Sequence, residues 1–209
     1  MTVAMKVGVL ASGEGTNLQA LFDTLHGREI EVVAVASDQP SARALERARA
    51  AGVPSRAFLR SEFGGRAARD AAMSDWLVEQ GVELVVLAGY MAILDAAFIV
   101  RFRDRVINVH PSLLPAFPGV RAVEQALEHG VKVFGVTVHL VDEGVDTGPI
   151  VLQHAVELPN ARDPEAVRAT LRPIEHDLLP RAVALMAAGR LRRDPGHPRR
   201  VLLDEEPGS

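Results

Sequence analysis

The segment INVHPSLLPAFPG, residues 107–119, places an amide and an imidazole two residues apart, Asn108 and His110. An asparagine amide donates hydrogen bonds without titrating, and an imidazole exchanges protons near neutral pH. On a strand, where alternate side chains share a face, the two point to the same side. The three prolines that follow lack N–H donors and fix φ, so they exclude a helix or a sheet interior. A stiff loop directly after a strand is where α/β proteins keep their chemistry.

Two further loops carry reactive or ligand-binding residue types. LASGEGTNLQ (10–19) joins a strand-like run to a helical one. Gly13 and Gly15 permit positive φ and close approach of a ligand. Thr16 and Asn17 fall at the helix N-terminus, where free N–H groups and the helix dipole attract an anion. A phosphate site is the natural expectation. The loop lacks the Gly-Lys-Ser/Thr of a Walker loop. It keeps half of a dinucleotide fingerprint, Gly13-x-Gly15, with Leu18 in place of the third glycine; Asp38 could then be a ribose-binding acid, which leaves a nicotinamide dehydrogenase as an alternative. The third loop, DEGVDTGP (142–149), offers Asp142, Glu143 and Asp146 as competing carboxylate partners for a histidine.

These loops need elements to hold them. MKVGVL (5–10), EIEVVAVASD (29–38), VPSRAFL, VELVVLAGY (82–90), RVINVH (105–110), VKVFGVTVHLV (131–141) and PIVLQHAVEL (149–158) read as strands. TNLQALFDTLHG (16–27), SARALERARAAG (41–52, with a serine N-cap), GRAARDAAMSDWLVEQG (65–81), VRAVEQALEHG (120–130) and 164–189, with Pro173 a candidate kink, read as helices. Strand and helix alternate, which predicts a single-domain, doubly wound, mostly parallel α/β sheet flanked by helices. Residues 1–190 form that domain. Residues 191–209, rich in charge, proline and glycine, are expected to give an edge strand and a loose tail.

The composition suits one globular unit: 209 residues, 48% hydrophobic and 24% charged. A net charge of −4 argues against nucleic acid as a partner. Of the basic residues only Lys6 and Lys132 are lysines, a codon-composition effect. The absence of cysteine removes disulfides and thiolate chemistry. No signal-peptide layout and no apolar run of about 18 residues is seen, so a cytoplasmic protein without a membrane partner is expected.

Taken together, the blocks VGVLASGEGTNLQAL, LERARAAGVP, VVLAGYM, INVHPSLLPAFPG, QALEHGVKVFGVTVHLVDEGVDTGPIV and IEHDLLP, in this order, resemble the phosphoribosylglycinamide formyltransferases. These are folate-dependent enzymes of de novo purine synthesis. INVHPSLLP and VDTGP are shared more widely among enzymes that use 10-formyltetrahydrofolate. The first loop and the short length point to the glycinamide ribonucleotide branch. Neither the extra C-terminal domain of methionyl-tRNA formyltransferase nor the N-terminal regulatory domain of formyltetrahydrofolate hydrolase is expected.

The resemblance implies transfer of a formyl group from 10-formyltetrahydrofolate, as co-substrate, to the amine of the ribonucleotide. The amine attacks directly through a tetrahedral intermediate, and no metal is required. It implies Asn108 as oxyanion donor, with His110 as imidazolium donor or proton carrier. Asp146, rather than Asp142 or Glu143, becomes the histidine's partner. It implies Gly15, Thr16 and Asn17 on the substrate phosphate and Glu175 on its ribose side. For the folate it implies Met91, Ala92, Ile93 and Leu94, Arg66 toward the tail, and Asn108. The loop of Val141, Asp142, Glu143, Gly144, Val145 and Asp146 would fold over the flat ring. Ala92 departs from the pattern, since the family usually has arginine there; a backbone contact survives that change and a side-chain contact does not. A homodimer is a family-level expectation only. The remaining histidines get ordinary structural roles: His139 as an inward strand residue, His129 and His154 at the surface or strand ends. His26, His176 and His197 show no metal-ligand pattern with them.

Overall fold

The β-branched and apolar runs form strands, and the alanine- and leucine-rich stretches between them form helices, in the computed structural model, which describes residues 4–204. The chain gathers into two compact units that divide between Asn108 and Val109. The architecture is α/β, a doubly wound, mostly parallel sheet flanked by helices.

In chain order the first unit holds β1 (Met5–Leu10), α1 (Thr16–Thr24), β2 (Ile30–Ser37), α2 (Arg43–Ala50) and β3 (Ser55–Ala57). A 3-10 turn (Arg60–Glu62), α3 (Arg66–Glu79), β4 (Leu84–Leu87) and α4 (Ala96–Arg101) follow, and β5 (Val106–His110) runs through the division. The strands lie in the order β3-β2-β1-β4-β5, all parallel. β1 and β4 sit centrally; Val7, Val9, Leu10, Val85 and Val86 are fully buried, as strands covered on both faces require. The chain moves outward through β2 and β3, then returns to place β4 on the other side of β1. That reversal is a topological switch point, where α/β sheets open a crevice beyond the strand C-termini. The loops after β1 and β4 are the ones it brings together.

In the second unit α5 (Ala122–Glu128) precedes β6 (Val133–Leu140) and β7 (Ile150–Glu157), which pair antiparallel. The long α6 (Pro164–Ala187) packs on both strands and on α5. Asp163 caps it, accepting from the N–H groups of Glu165 and Ala166.

Several boundaries differ from the expected ones. α2 is not capped by Ser41: Ala42 is its N-cap and no side chain caps it. β4 stops at Leu87 because Gly89, at φ 75°, turns the chain out of the sheet. α5 starts two residues late because Arg121 adopts a left-handed φ of 62°. α6 continues through Pro173 and Pro180. Leu171, Leu178, Leu179, Ala182 and Val183 are buried on either side of them, so tertiary packing outweighs the lost backbone bonds. Residues 191–203 do not add an edge strand to the main sheet: β8 (Leu191–Arg193) and β9 (Val201–Leu203) pair with each other in a separate two-stranded ribbon. The expected loose tail, 205–209, lies outside the described residues.

Candidate active site

The loop after β1 has the glycine turn its residue types suggest, with one difference. Gly15 takes φ 68°, and a Cβ there would lie 2.8 Å from Ala44 Cα, so α2 packs against a position only glycine can fill. Gly13 has no positive φ, and a Cβ there would meet nothing within 4 Å. α1 begins at Thr16 with no side-chain cap, and Asn17 is buried at its start. Its first-turn N–H groups therefore face the loop with the helix dipole behind them. The loop's carboxylate, Glu14, is drawn away by Arg43 at 2.7 Å, and Arg47 Nε donates to the Glu14 carbonyl at 2.8 Å. Both arginines come from α2.

A hydroxyl joins this loop to the segment after β4. Ser12 Oγ donates to Asp38 Oδ1 at 2.5 Å and accepts from the Met91 N–H at 2.8 Å. Met91 and Ile93 are large apolar side chains left 67% and 60% exposed, a surface suited to the face of a flat ring. Behind them lies a buried ion pair. Arg69 Nε donates to Asp70 Oδ1 at 2.7 Å, and its NH2 reaches the Ile93 carbonyl at 3.3 Å. The other Asp70 oxygen accepts from the Asp95 N–H at 2.7 Å. Burial pushes the Asp70 carboxyl up, while Arg69 and the Asp95 N–H pull it back. Arg66, Ala92 and Ile93 line a cleft of about 400 Å³ with Asp38, Arg60 and Arg69. Arg66 stands 4.0 Å from Asp95.

In the second unit the proline loop is fixed by polar side chains of the sheet. Thr137 Oγ1 donates to the Ser112 carbonyl at 2.7 Å and accepts from the Leu114 N–H at 3.1 Å. Gln153 Nε2 donates to the Leu114 carbonyl at 2.9 Å. His110, at the end of β5, is buried. Its Nε2 is 2.9 Å from the Phe117 carbonyl, which can only accept, so that nitrogen carries a proton. Its Nδ1 lies 3.4 Å from Asp146 Oδ2. The same carboxylate oxygen accepts from the Gly119 N–H at 2.7 Å, and Asp146 Oδ1 lies 3.4 Å from His139 Nε2. His139 gives its Nδ1–H to the Leu140 carbonyl at 2.9 Å. One carboxylate is thus flanked by two imidazoles, each anchored by its other nitrogen.

Burial lowers the His110 pKa from 6.5 despite the nearby Asp146 charge. Burial alone would raise Asp146, but His139, His110 and the Gly119 N–H pull it down to about 2. Both folded values lie below the unfolded ones, so the unfolded chain binds more protons as pH falls. Stability is then full above pH 6.5, declines as His110 resists protonation, and declines again below about pH 4 through Asp146. Denaturation midpoints measured from pH 7.5 to 3 are expected to show both steps. His110→Gln should flatten the upper step; His176, also lowered by burial, leaves a residue of it. An unchanged upper step in that variant would rule His110 out as its source.

Residues 5–183 match the sequence profile of the Formyl transferase family. The chain belongs to the formyl transferase family. A trifunctional purine biosynthetic protein adenosine-3 from Drosophila pseudoobscura pseudoobscura is 45% identical over 192 residues, covering 90% of this chain. The chain spans 14% of that relative's length. Haemophilus influenzae phosphoribosylglycinamide formyltransferase is 41% identical, covering 90% of this chain and 89% of its own. Among solved structures, glycinamide ribonucleotide transformylase 1 from Symbiobacterium toebii superposes with a TM-score of 0.90 at 45% identity, over 97% of this chain and 95% of its own.

In this member of the formyl transferase family, Asp146 faces two histidines. Asp142 instead closes its own loop, with Oδ1 accepting from the Gly144 N–H and from Thr147 Oγ1. Glu143, Gly144 and Val145 are exposed on that loop, and Val141 is half-buried. Gly148 is required there: a Cβ would sit 1.7 Å from the Leu140 carbonyl oxygen. Asn108 is half-buried on β5, in register with Leu87, and Leu94 is half-buried after β4. Glu175 is half-buried on α6. Asp38 is bonded to Ser12, not left as a lone ribose acid. Sequence reasoning missed His139, Ser12, the Arg69–Asp70 pair, Thr137 and Gln153. The available signal was polar residues inside apolar strands, such as Thr137 and His139 in VFGVTVHL.

Proposed function

We propose that this chain transfers the formyl group of 10-formyltetrahydrofolate to the amine of glycinamide ribonucleotide, in purine synthesis in the cytoplasm. The supporting observation is the Asp146 carboxylate, held ionised 3.4 Å from the His110 imidazole, at the end of the strand that carries Asn108. Gly15, Thr16 and Asn17 hold the substrate phosphate, and Glu175 its ribose side. The exposed Met91 and Ile93 surface, with Ala92 and Leu94, takes the pterin. The loop 141–146 takes the ring's other contacts. Arg66, in the arginine-lined cleft, takes the charge of the tail. The Met91 and Ile93 surface with the arginine-lined cleft suits a flat ring with an anionic end.

The neutral amine attacks the formyl carbon, and a C–N bond forms while the carbonyl π pair moves to oxygen. Asn108 donates to that oxygen, worth about 3 kcal/mol in the transition state. The His110 Nε2–H, given to the Phe117 carbonyl in the free chain, is given to the same oxygen during reaction. The bond to N10 then breaks as the oxygen pair returns, and the proton released by the new ammonium ends on N10. With a pKa of about 2, Asp146 stays ionised throughout and acts by its charge on the imidazole. A homodimer is part of this proposal.

The test is absorbance of the purified protein with 10-formyltetrahydrofolate, with and without glycinamide ribonucleotide. Deformylation that requires the ribonucleotide is expected. Deformylation without it would replace this reading with a hydrolase. No deformylation in either case would exclude both.

A further inference from the structure

We propose that Arg199, on the C-terminal ribbon, is a positioning residue that locks the loop carrying Asp146. The proposed consequence for catalysis rests on the formyl-transfer reading above. The ribbon lies beyond residue 183, where the family match ends. It is stiff in itself. Its turn is closed by Asp194, whose N–H donates to the Arg200 carbonyl at 3.0 Å and whose Oδ1 accepts from the Gly196 N–H at 2.8 Å. Its base is clamped by Arg190, which donates to the Asp204 carbonyl through Nε at 3.2 Å and NH2 at 3.0 Å. Arg192 Nε adds a bond to Asp204 Oδ1 at 3.1 Å.

The tip of this ribbon touches the loop carrying Asp146 once and the first residue of β7 once. Arg199 NH2 donates to the Thr147 carbonyl at 2.8 Å, and Arg200 forms an isolated β-bridge with Ile150. These contacts flank the stretch immediately after Asp146. Asp146 holds a left-handed φ of 53°, which aspartate reaches more readily than most residues but which leaves the direction of its carboxylate dependent on how the next peptide is held. Within the loop, the Thr147 hydroxyl is held by Asp142 and its carbonyl by Arg199. Released from Arg199, the peptide after Asp146 can rotate, and the carboxylate loses its fixed direction toward His110 and His139. Such a displacement costs rate without removing any group from the site.

The test compares the full chain with Arg199→Met and Arg199→Lys. In Arg199→Met, amide hydrogen exchange across 142–148 is expected to accelerate about tenfold, with β6 unchanged. This readout does not depend on which reaction the chain performs. Exchange equal to the parent within about twofold would overturn the proposal. With glycinamide ribonucleotide and 10-formyltetrahydrofolate, kcat is expected to fall about tenfold at unchanged KM. Arg199→Lys, or added guanidinium at millimolar concentration, should restore part of it. An unchanged kcat, or a loss that neither lysine nor guanidinium repairs, would overturn the positioning role. A parent inactive with these substrates would instead sink the formyl-transfer reading and leave the exchange result to decide the loop restraint.

Discussion

Asp146→Asn is expected to lower kcat by about 10³-fold or more, by analogy with other carboxylates that orient a catalytic histidine. The substitution is chosen to spare the backbone, since asparagine tolerates the left-handed conformation that Asp146 occupies at φ 53°. Its side-chain oxygen can still accept from the Gly119 N–H. What disappears is the negative charge between His110 and His139. That charge raises the His110 pKa against a burial that lowers it. Without it the imidazolium form becomes harder to reach, so donation to a developing oxyanion weakens. Single-turnover rates from pH 5 to 9 would check this, with circular dichroism confirming the fold. A folded variant within about tenfold of the parent rate would remove Asp146 from the mechanism.

The largest stability effect is expected from Asp70→Ala. Arg69 and Asp70 are 4% and 0% exposed and bonded to each other on α3. Removing the carboxylate leaves a guanidinium buried without its partner, which costs about 3–5 kcal/mol. For a chain of this size that is a drop in melting temperature of roughly 10 °C. The Asp95 N–H also loses its acceptor, and the segment from Ile93 to Asp95 loses its anchor. Under the proposed formyl transfer, KM for the folate co-substrate should therefore rise more than KM for the ribonucleotide. The double variant Arg69→Met with Asp70→Leu should regain much of the stability, because apolar replacements of both partners avoid the stranded charge. If the single variant melts within about 2 °C of the parent, the pair does not carry this energy.

The alternation of β-branched runs with alanine- and leucine-rich ones makes the sheet legible in the sequence, because burial on both faces demands uninterrupted apolar strands such as LVVL in β4. The proline segment 111–119 and the glycine at 15 are legible for a similar reason: few residues tolerate those backbones. The partners of the site are not legible. Asp142, Glu143 and Asp146 are chemically alike on one loop, and only folding decides that Asp142 bonds Gly144 and Thr147 while Asp146 meets two imidazoles. His139 looks like any inward strand residue until that loop is placed. Arg69 and Asp70 are neighbours in a helix, where adjacent residues normally point apart, so their pairing has no periodic signature. The ribbon at 191–203 is short and charged, and it reads as a tail because it buries almost nothing of its own.

Ser12 has a consequence for how this protein changes over generations. Its one hydroxyl serves Asp38 and the Met91 N–H together, and it joins the loop after β1 to the segment after β4. A substitution at residue 12 or 38 cannot adjust one of these segments while leaving the other untouched. Changes favoured in one segment will be judged by their effect on the other, so the two are inherited as a unit. Epistasis between positions 12 and 38 is built into the hydrogen bonding, whereas position 91 contributes only its backbone N–H, which any residue but proline would keep.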